Sequence, residues 1–141
     1  MVPDSPHTSK AKHRNPRADS AGALHALKAL GCDIAIVTLA EAGSLINDGK
    51  RQYVVPAYAT EARDPTGAGD TYMAGFIHAY LQDPTDLYTA GCYGAATASI
   101  WIEHTGPAAP VTRDEVERRA AALLALSGGD RPWSRLLQDR S

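Results

Sequence analysis

The sequence predicts an α/β layered fold, and three observations predict it. Leu24, Leu27 and Leu30 recur at helical spacing, and a β-branched apolar run, "CDIAIVTL", follows directly. Helix followed by buried strand is how helices are laid against a sheet. Further on, "SLINDGKRQYVV" reads as a hairpin and the remaining chain carries helical apolar patterns. With 141 residues, 44% of them apolar and a formal net charge of −2, the chain is long enough for one domain with a real core.

Taken in order, residues 1–19 are polar, proline-containing and without period, which predicts a disordered tail. The ordered lobe is expected over 20–126, with a further tail over 127–141. Ser20 is positioned to cap the first helix and Gly31 to stop it. The strand in "CDIAIVTL" has the continuous apolar character of a strand buried on both faces, as in parallel sheets. In the hairpin, the Asp48–Gly49 pair supplies the positive φ angles of a tight turn. "PAYATEA" is a weaker strand or an extended segment. Met73, Phe76, Ile77, Tyr80 and Leu81 then fall on one helical face. Asp83–Pro84 ends that helix. "DLYTAGCYGAATASIWIE" reads as a second helix, whose Gly91, Gly94, Ala95 and Ala98 form a smooth face for close packing. "TRDEVERRAAALLAL" reads as a third, opened by a capping box of Thr112 and Glu115. The last residues are expected to dock through Trp133 and Leu136 or to fray.

Several function classes receive no support. The near-neutral charge gives no general attraction to nucleic acid or to an anionic membrane. No apolar run reaches membrane-spanning length. The first residues lack the apolar stretch of a secretory signal, and Asp4 and Asp19 suit a transit peptide poorly, so a cytoplasmic location is expected. Cys32 and Cys92 lie far apart without metal-ligand spacing and are expected as buried, reduced thiols, so no metal site is assigned to them. Trp101 and Trp133 read as packing residues, and Tyr72 and Tyr80 as helix-face packing groups.

The stretch with chemical content is residues 64–76, "DPTGAGDTYMAGF". A G-x-G-D at the mouth of a helix is usually capping and turn chemistry. The alternative is anion binding: a helix N-terminus offers unpaired N–H groups and partial positive charge, and glycines let backbone approach a phosphate. Capping alone does not explain two carboxylates beside such an anion. A carboxylate kept there needs a task, such as accepting a proton from a nucleophile or holding a cation. The chain has neither a P-loop nor a dinucleotide fingerprint. Asp64 divides evenly between cation-site geometry and turn capping.

At this point the stretch closely resembles the C-terminal signature of the ribokinase-like, or PfkB, carbohydrate kinases, and every position fits. "VTLAEAG" before it and "HTGPAAPVTRDEV" after it agree in order and spacing, so the resemblance covers about residues 20–126. It implies the C-terminal portion of a ribokinase-like fold, a Rossmann-like layered sheet with flanking helices. It also implies an ATP-dependent sugar kinase with Asp70 as catalytic base and Gly67, Ala68 and Gly69 as the anion hole. Thr38 and Gly43 match a nucleotide-contacting segment, and Asp64, Thr66 and Gly106 match positions that in some members bind a monovalent cation such as K⁺. ATP and Mg²⁺ are the implied cofactors, and the implied partners are a small sugar or polyol and a nucleotide. The small-residue helix and the loop before "HTGP" match part of the adenine pocket.

Three departures accompany the resemblance. Ala40 stands where the nucleotide segment usually has its first glycine. Gly94 and Ala95 lie near where many members have an asparagine. The family's N-terminal half and lid, with most of the sugar pocket, are absent from this sequence, and no asparagine has a glutamate three residues on to form the magnesium-organising N-x-x-E. A truncated kinase is therefore expected. The alternative is a non-catalytic remnant or nucleotide-binding lobe that works as a homo-oligomer or with a complementing chain.

Overall fold

The computed structural model describes residues 16–105 and 111–127. Among the described residues, four helices and three strands follow in the order α1 (Pro16–Ala29), β1 (Ala35–Thr38), β2 (Ser44–Asn47), β3 (Gln52–Val55), α2 (Ala68–Gln82), α3 (Leu87–Trp101) and α4 (Arg113–Ser127). A short 3₁₀ turn, Ala40–Ala42, joins β1 to β2.

The sheet runs β1-β2-β3, and both pairings are antiparallel. Its two faces are fixed by alternation along β2 and β3, where side chains point to opposite sides in turn. Leu45 and its cross-strand partner Val54 pack with Ala35 and Leu24 on the α1 side. Ile46 and its partner Tyr53, together with Val55, pack with Tyr72 and Phe76 of α2 and with Leu87, Tyr88 and Cys92 of α3. The sheet is thus a middle layer with helices on both faces. Helix α4 closes the outer side of α3 through Ala96, Ile100, Val116 and Ala120.

Close packing of α2 on α3 relies on missing side chains. A Cβ on Gly75 would lie 2.3 Å from Thr97 Oγ1 and 2.5 Å from the Tyr93 carbonyl. One on Gly94 would lie 2.9 Å from the Tyr72 carbonyl, and one on Gly91 would lie 2.7 Å from Ile46 and Val55. The smooth face expected on α3 is therefore a packing face against both the sheet and α2.

Several local expectations are corrected. Helix α1 starts at Pro16, so Ser20 lies inside it and not at its N-cap; proline suits the first helical position because its missing N–H would be unpaired there anyway. Residues 1–15 lie outside the described residues. Gly31 ends the helix with φ +102°, but Leu30 is 82% exposed and does not extend the apolar face of Leu24 and Leu27. Strand β1 is not buried on both faces: Ile36 and Val37 are half-buried and Thr38 exposed. In the hairpin only Gly49 has positive φ. Asp48 acts through its side chain, with Oδ1 accepting the amides of Lys50 and Arg51 at 2.8 and 2.7 Å. Cys32 is exposed, whereas Cys92 is buried.

The apolar face of α2 is rotated from expectation. Tyr72, Gly75, Phe76 and Ala79 are buried, while Met73, Ile77 and Leu81 form an exposed stripe. The reason is the α3 contact, which only the side lined by small Gly75 and Ala79 can make closely. The capping box of α4 is half formed. Glu115 N donates to Thr112 Oγ1 at 3.3 Å, but the Glu115 carboxylate turns to Arg118 and Arg119. Trp133, Leu136 and the rest of 128–141 lie outside the described residues.

Candidate functional site

The site is built where an extended segment, 56–63, meets the first turn of α2. That segment is tied down by one arginine. Arg119 donates to both Glu103 carboxylate oxygens at 2.8 and 3.1 Å, to Ser99 Oγ at 2.9 Å and to Glu115 at 2.7 Å. Its guanidinium lies over the Tyr58 ring, 4.8 Å from the centroid, and Thr60 bonds to Glu103. The Arg119 hydrogen bonds hold the Glu103 carboxyl below the usual range, against the opposing effect of burial.

The chain then enters the glycine turn under further restraint. The Ile102 carbonyl accepts the amides of Arg63 and Asp64 at 2.6 and 3.1 Å. Asp64 Oδ1 accepts the Thr66 amide at 3.0 Å, and this backbone hydrogen bond lowers the Asp64 carboxyl below its ordinary value. That is turn-capping geometry. Gly67 is the N-cap of α2 with φ +83°, a left-handed conformation that favours glycine. Its carbonyl accepts the Thr71 amide at 3.0 Å and the Thr71 hydroxyl at 2.8 Å.

The amides of the four residues 67–70 then differ in a telling way. The Ala68 amide donates back to the Pro65 carbonyl at 3.1 Å. The amides of Gly67, Gly69 and Asp70 have no hydrogen-bond partner among the described residues. Gly69 has ordinary helical φ, and a Cβ built on it would meet nothing within 4 Å. Neither the fold nor the backbone therefore requires glycine at 69, where alanine would favour the helix. Asp70 follows on the exposed side of the same turn, and its carboxylate has no partner among the described residues. The arrangement is an open helix N-terminus with unpaired donors, a position kept bare, and one solvent-facing carboxylate beside it.

Thr38 and Gly43 lie at the two ends of the β1–β2 connection. Gly43 has φ +95°, and a Cβ there would sit 2.2 Å from the Val55 carbonyl, so packing alone demands glycine. Thr38 is exposed and pairs with Ser44. The Ser44 and Tyr72 hydroxyls are 2.8 Å apart, which brings this connection against α2 just after Asp70. Burial raises the Tyr72 phenol well above its usual value, so it stays neutral. Ala40, between the two, has φ +51°, the left-handed conformation that its glycine counterpart would adopt without strain. Gly106 lies outside the described residues.

Sequence reasoning assigned Trp101 to packing alone. Its indole N–H also donates to the Thr66 carbonyl at 2.6 Å. The signal was faint: one aromatic at the end of a small-residue helix, with nothing in the spacing to say which loop it reaches.

Comparison with known proteins shows the family and the fold. A nucleoside kinase from Methanothermobacter thermautotrophicus is 38% identical over 100 residues, 70% of this chain and 32% of that protein. A 2-dehydro-3-deoxygalactonokinase from Haloferax volcanii is 38% identical over 96 residues, 67% of this chain and 28% of that protein. Among solved structures, ribokinase from Thermotoga maritima superposes with a TM-score of 0.63 at 27% identity, covering 71% of this chain and 34% of that one. The nucleoside kinase of Methanocaldococcus jannaschii, an archaeal member of the ribokinase family, gives 0.59 at 39% identity, covering 64% and 30%. The chain spans about a third of the length of these relatives. The model of the pfkB family carbohydrate kinases matches residues 7–114, and the chain belongs to that family.

Proposed function

We propose that this chain carries the phosphoryl-transfer half of an ATP-dependent kinase whose acceptor is a hydroxyl of a sugar or nucleoside. The observation that carries the reading is Gly69, a helical glycine with open space at its Cβ position, set between unpaired amides and the free carboxylate of Asp70. A stability argument disfavours glycine there, and close approach of a phosphate to backbone favours it.

In this reading Gly67, Ala68 and Gly69 form the cradle for the transferring phosphoryl group, with the Gly67 and Gly69 amides as its unpaired donors. Asp70 accepts the proton of the attacking hydroxyl as the O–P bond forms and the bond to ADP breaks. Fixed backbone dipoles aimed at developing charge cost no reorganisation at the moment of transfer. Magnesium enters with the substrate as MgATP, neutralising phosphate charge. Thr38 and Gly43 line the nucleotide side, and the Ser44–Tyr72 bond holds that side against α2. A monovalent cation, K⁺ in the first instance, would be held by Asp64, Thr66 and Gly106. The related nucleoside kinase of Burkholderia thailandensis, solved with ADP and inosine, makes nucleosides acceptors worth testing beside sugars and inositols.

The test is ADP formation from MgATP across a panel of sugars, nucleosides and inositols, with Asp70→Asn alongside. Acceptor-dependent ADP formation that Asp70→Asn abolishes supports the proposal; activity that survives the substitution undiminished removes Asp70 from the role of base.

A second reading is a nucleotide-binding lobe that acts only with a complementing chain or a second copy. Met73, Ile77 and Leu81 favour it: they are 37%, 47% and 75% exposed, in line with Asp70 along α2. Acceptor-dependent activity in a sedimenting monomer would argue against this reading.

A further inference from the structure

Trp101 holds the glycine turn from below, and nothing in the turn's own sequence supplies that support. We propose that Trp101 is a positioning residue for the phosphoryl cradle. The proposal rests on the phosphate-binding role given above to residues 67–69.

Two contacts carry it. The indole N–H donates to the Thr66 carbonyl at 2.6 Å, fixing the peptide immediately before Gly67. The indole also lies under Gly67: a Cβ there would come 3.1 Å from Nε1 and 3.5 Å from Cε2. Glycine at 67 is thus favoured by its φ of +83°, and a Cβ there would press on the ring beneath it. The next residue on the same helix end acts in concert, since the Ile102 carbonyl accepts the amides of Arg63 and Asp64. The C-terminal end of α3 therefore grips the turn at its entrance and at its midpoint. The orphan carbonyls of a helix end suit the first grip, and an indole, with an apolar plate and one donor, suits the second. Without Trp101, Thr66 and Gly67 keep only local turn bonds, and the Gly67 and Gly69 amides lose their fixed direction.

The test compares wild type, Trp101→Phe, and a chain with 3-benzothienylalanine at position 101, which keeps the indole's shape and lacks its N–H. Amide hydrogen exchange is followed at Asp64, Thr66, Ala68 and Thr71, all hydrogen-bonded in the turn, and at Ala90 to Ile100 in α3. Both variants should speed exchange in the turn roughly five- to tenfold, about what one net hydrogen bond is worth, and leave α3 within about twofold. Turn exchange equal to wild type, or a parallel rise in the turn and α3, overturns the proposal. Titration with MgATP, which carries the transferring phosphoryl group, and with adenosine, which carries none, is run on the same three proteins. The proposal expects the variants to lose affinity for MgATP and not for adenosine; equal loss of both overturns it. If wild type binds neither ligand, the phosphate-binding reading fails, and the exchange comparison still decides whether Trp101 holds the turn.

Discussion

Replacing Gly69 by alanine should make the protein more stable and worse at holding a phosphate. Gly69 is helical, with ordinary φ and nothing within 4 Å of a built Cβ. Alanine is better than glycine in a helix interior by about 0.8–1.0 kcal/mol. In a first turn about half of that is expected, near 0.5 kcal/mol, or a melting-point rise of roughly 2 °C for a domain of this size. In the proposed cradle the same methyl stands where a phosphate oxygen would approach the Gly69 amide. Losing one charge-assisted hydrogen bond costs about 1.5–3 kcal/mol, a roughly ten- to hundredfold weaker MgATP complex. Thermal melting and isothermal titration read the two effects separately. Gly67→Ala is the control of opposite sign: it meets Trp101 and a left-handed φ, and should lower the melting point. If Gly69→Ala melts lower than wild type, the space at its Cβ is not open. If it melts higher and binds MgATP unchanged, the bare position is not a phosphate site.

Other consequences follow from the surroundings. Ala40→Gly should stabilise by about 0.5–1 kcal/mol, because left-handed alanine costs about 1–2 kcal/mol and glycine's added freedom in the unfolded chain returns part of it; urea unfolding checks this, and a lower midpoint would show that φ +51° is not strained. Arg119→Met should cost about 2 kcal/mol, less than a fully buried pair because the Glu103 side chain is 26% exposed, and should lower the urea midpoint with the slope unchanged. Stability should also depend on acid. Arg119 lowers the folded Glu103 carboxyl, and Arg118 and then Arg119 lower that of Glu115 to about 2. Lowered carboxyls bind fewer protons folded than unfolded, so their contribution is full above the unfolded value near 4.5 and fades as pH falls through the folded ones. Melting points from pH 6 to pH 2.5 should fall chiefly below about 5, and Arg119→Met should flatten that fall.

The layered α/β class, the hairpin and the three later helices were legible because each rests on local pattern: leucine spacing in α1, a β-branched run in β1, Asp48–Gly49 at the hairpin turn. The sheet's direction was not, since "CDIAIVTL" reads the same in a parallel interior strand and in an antiparallel edge. The buried face of α2 was misread for a related reason. Apolar spacing favoured Met73, Ile77 and Leu81, but Gly75 and Ala79 admit the α3 backbone, and small size outweighs hydropathy where helices touch. The signature residues 64–70 were legible as a unit from their carboxylates and glycines. What holds them was not, because Trp101 and Ile102 reach the turn from 35 or more residues away in sequence, and Arg119 holds the segment before it through Tyr58. The distinction between Gly43, which packing demands, and Gly69, which packing does not, needs three dimensions.

Titrating MgATP into the ¹⁵N-labelled protein and following the amides of Gly67, Ala68, Gly69 and Asp70 reads the phosphate cradle itself. Saturable shifts largest at these four amides, retained in Asp70→Asn and moved to roughly ten- to hundredfold higher MgATP in Gly69→Ala, are the expected result. Saturable binding that leaves them unmoved while shifting amides elsewhere would place the phosphate away from this helix N-terminus.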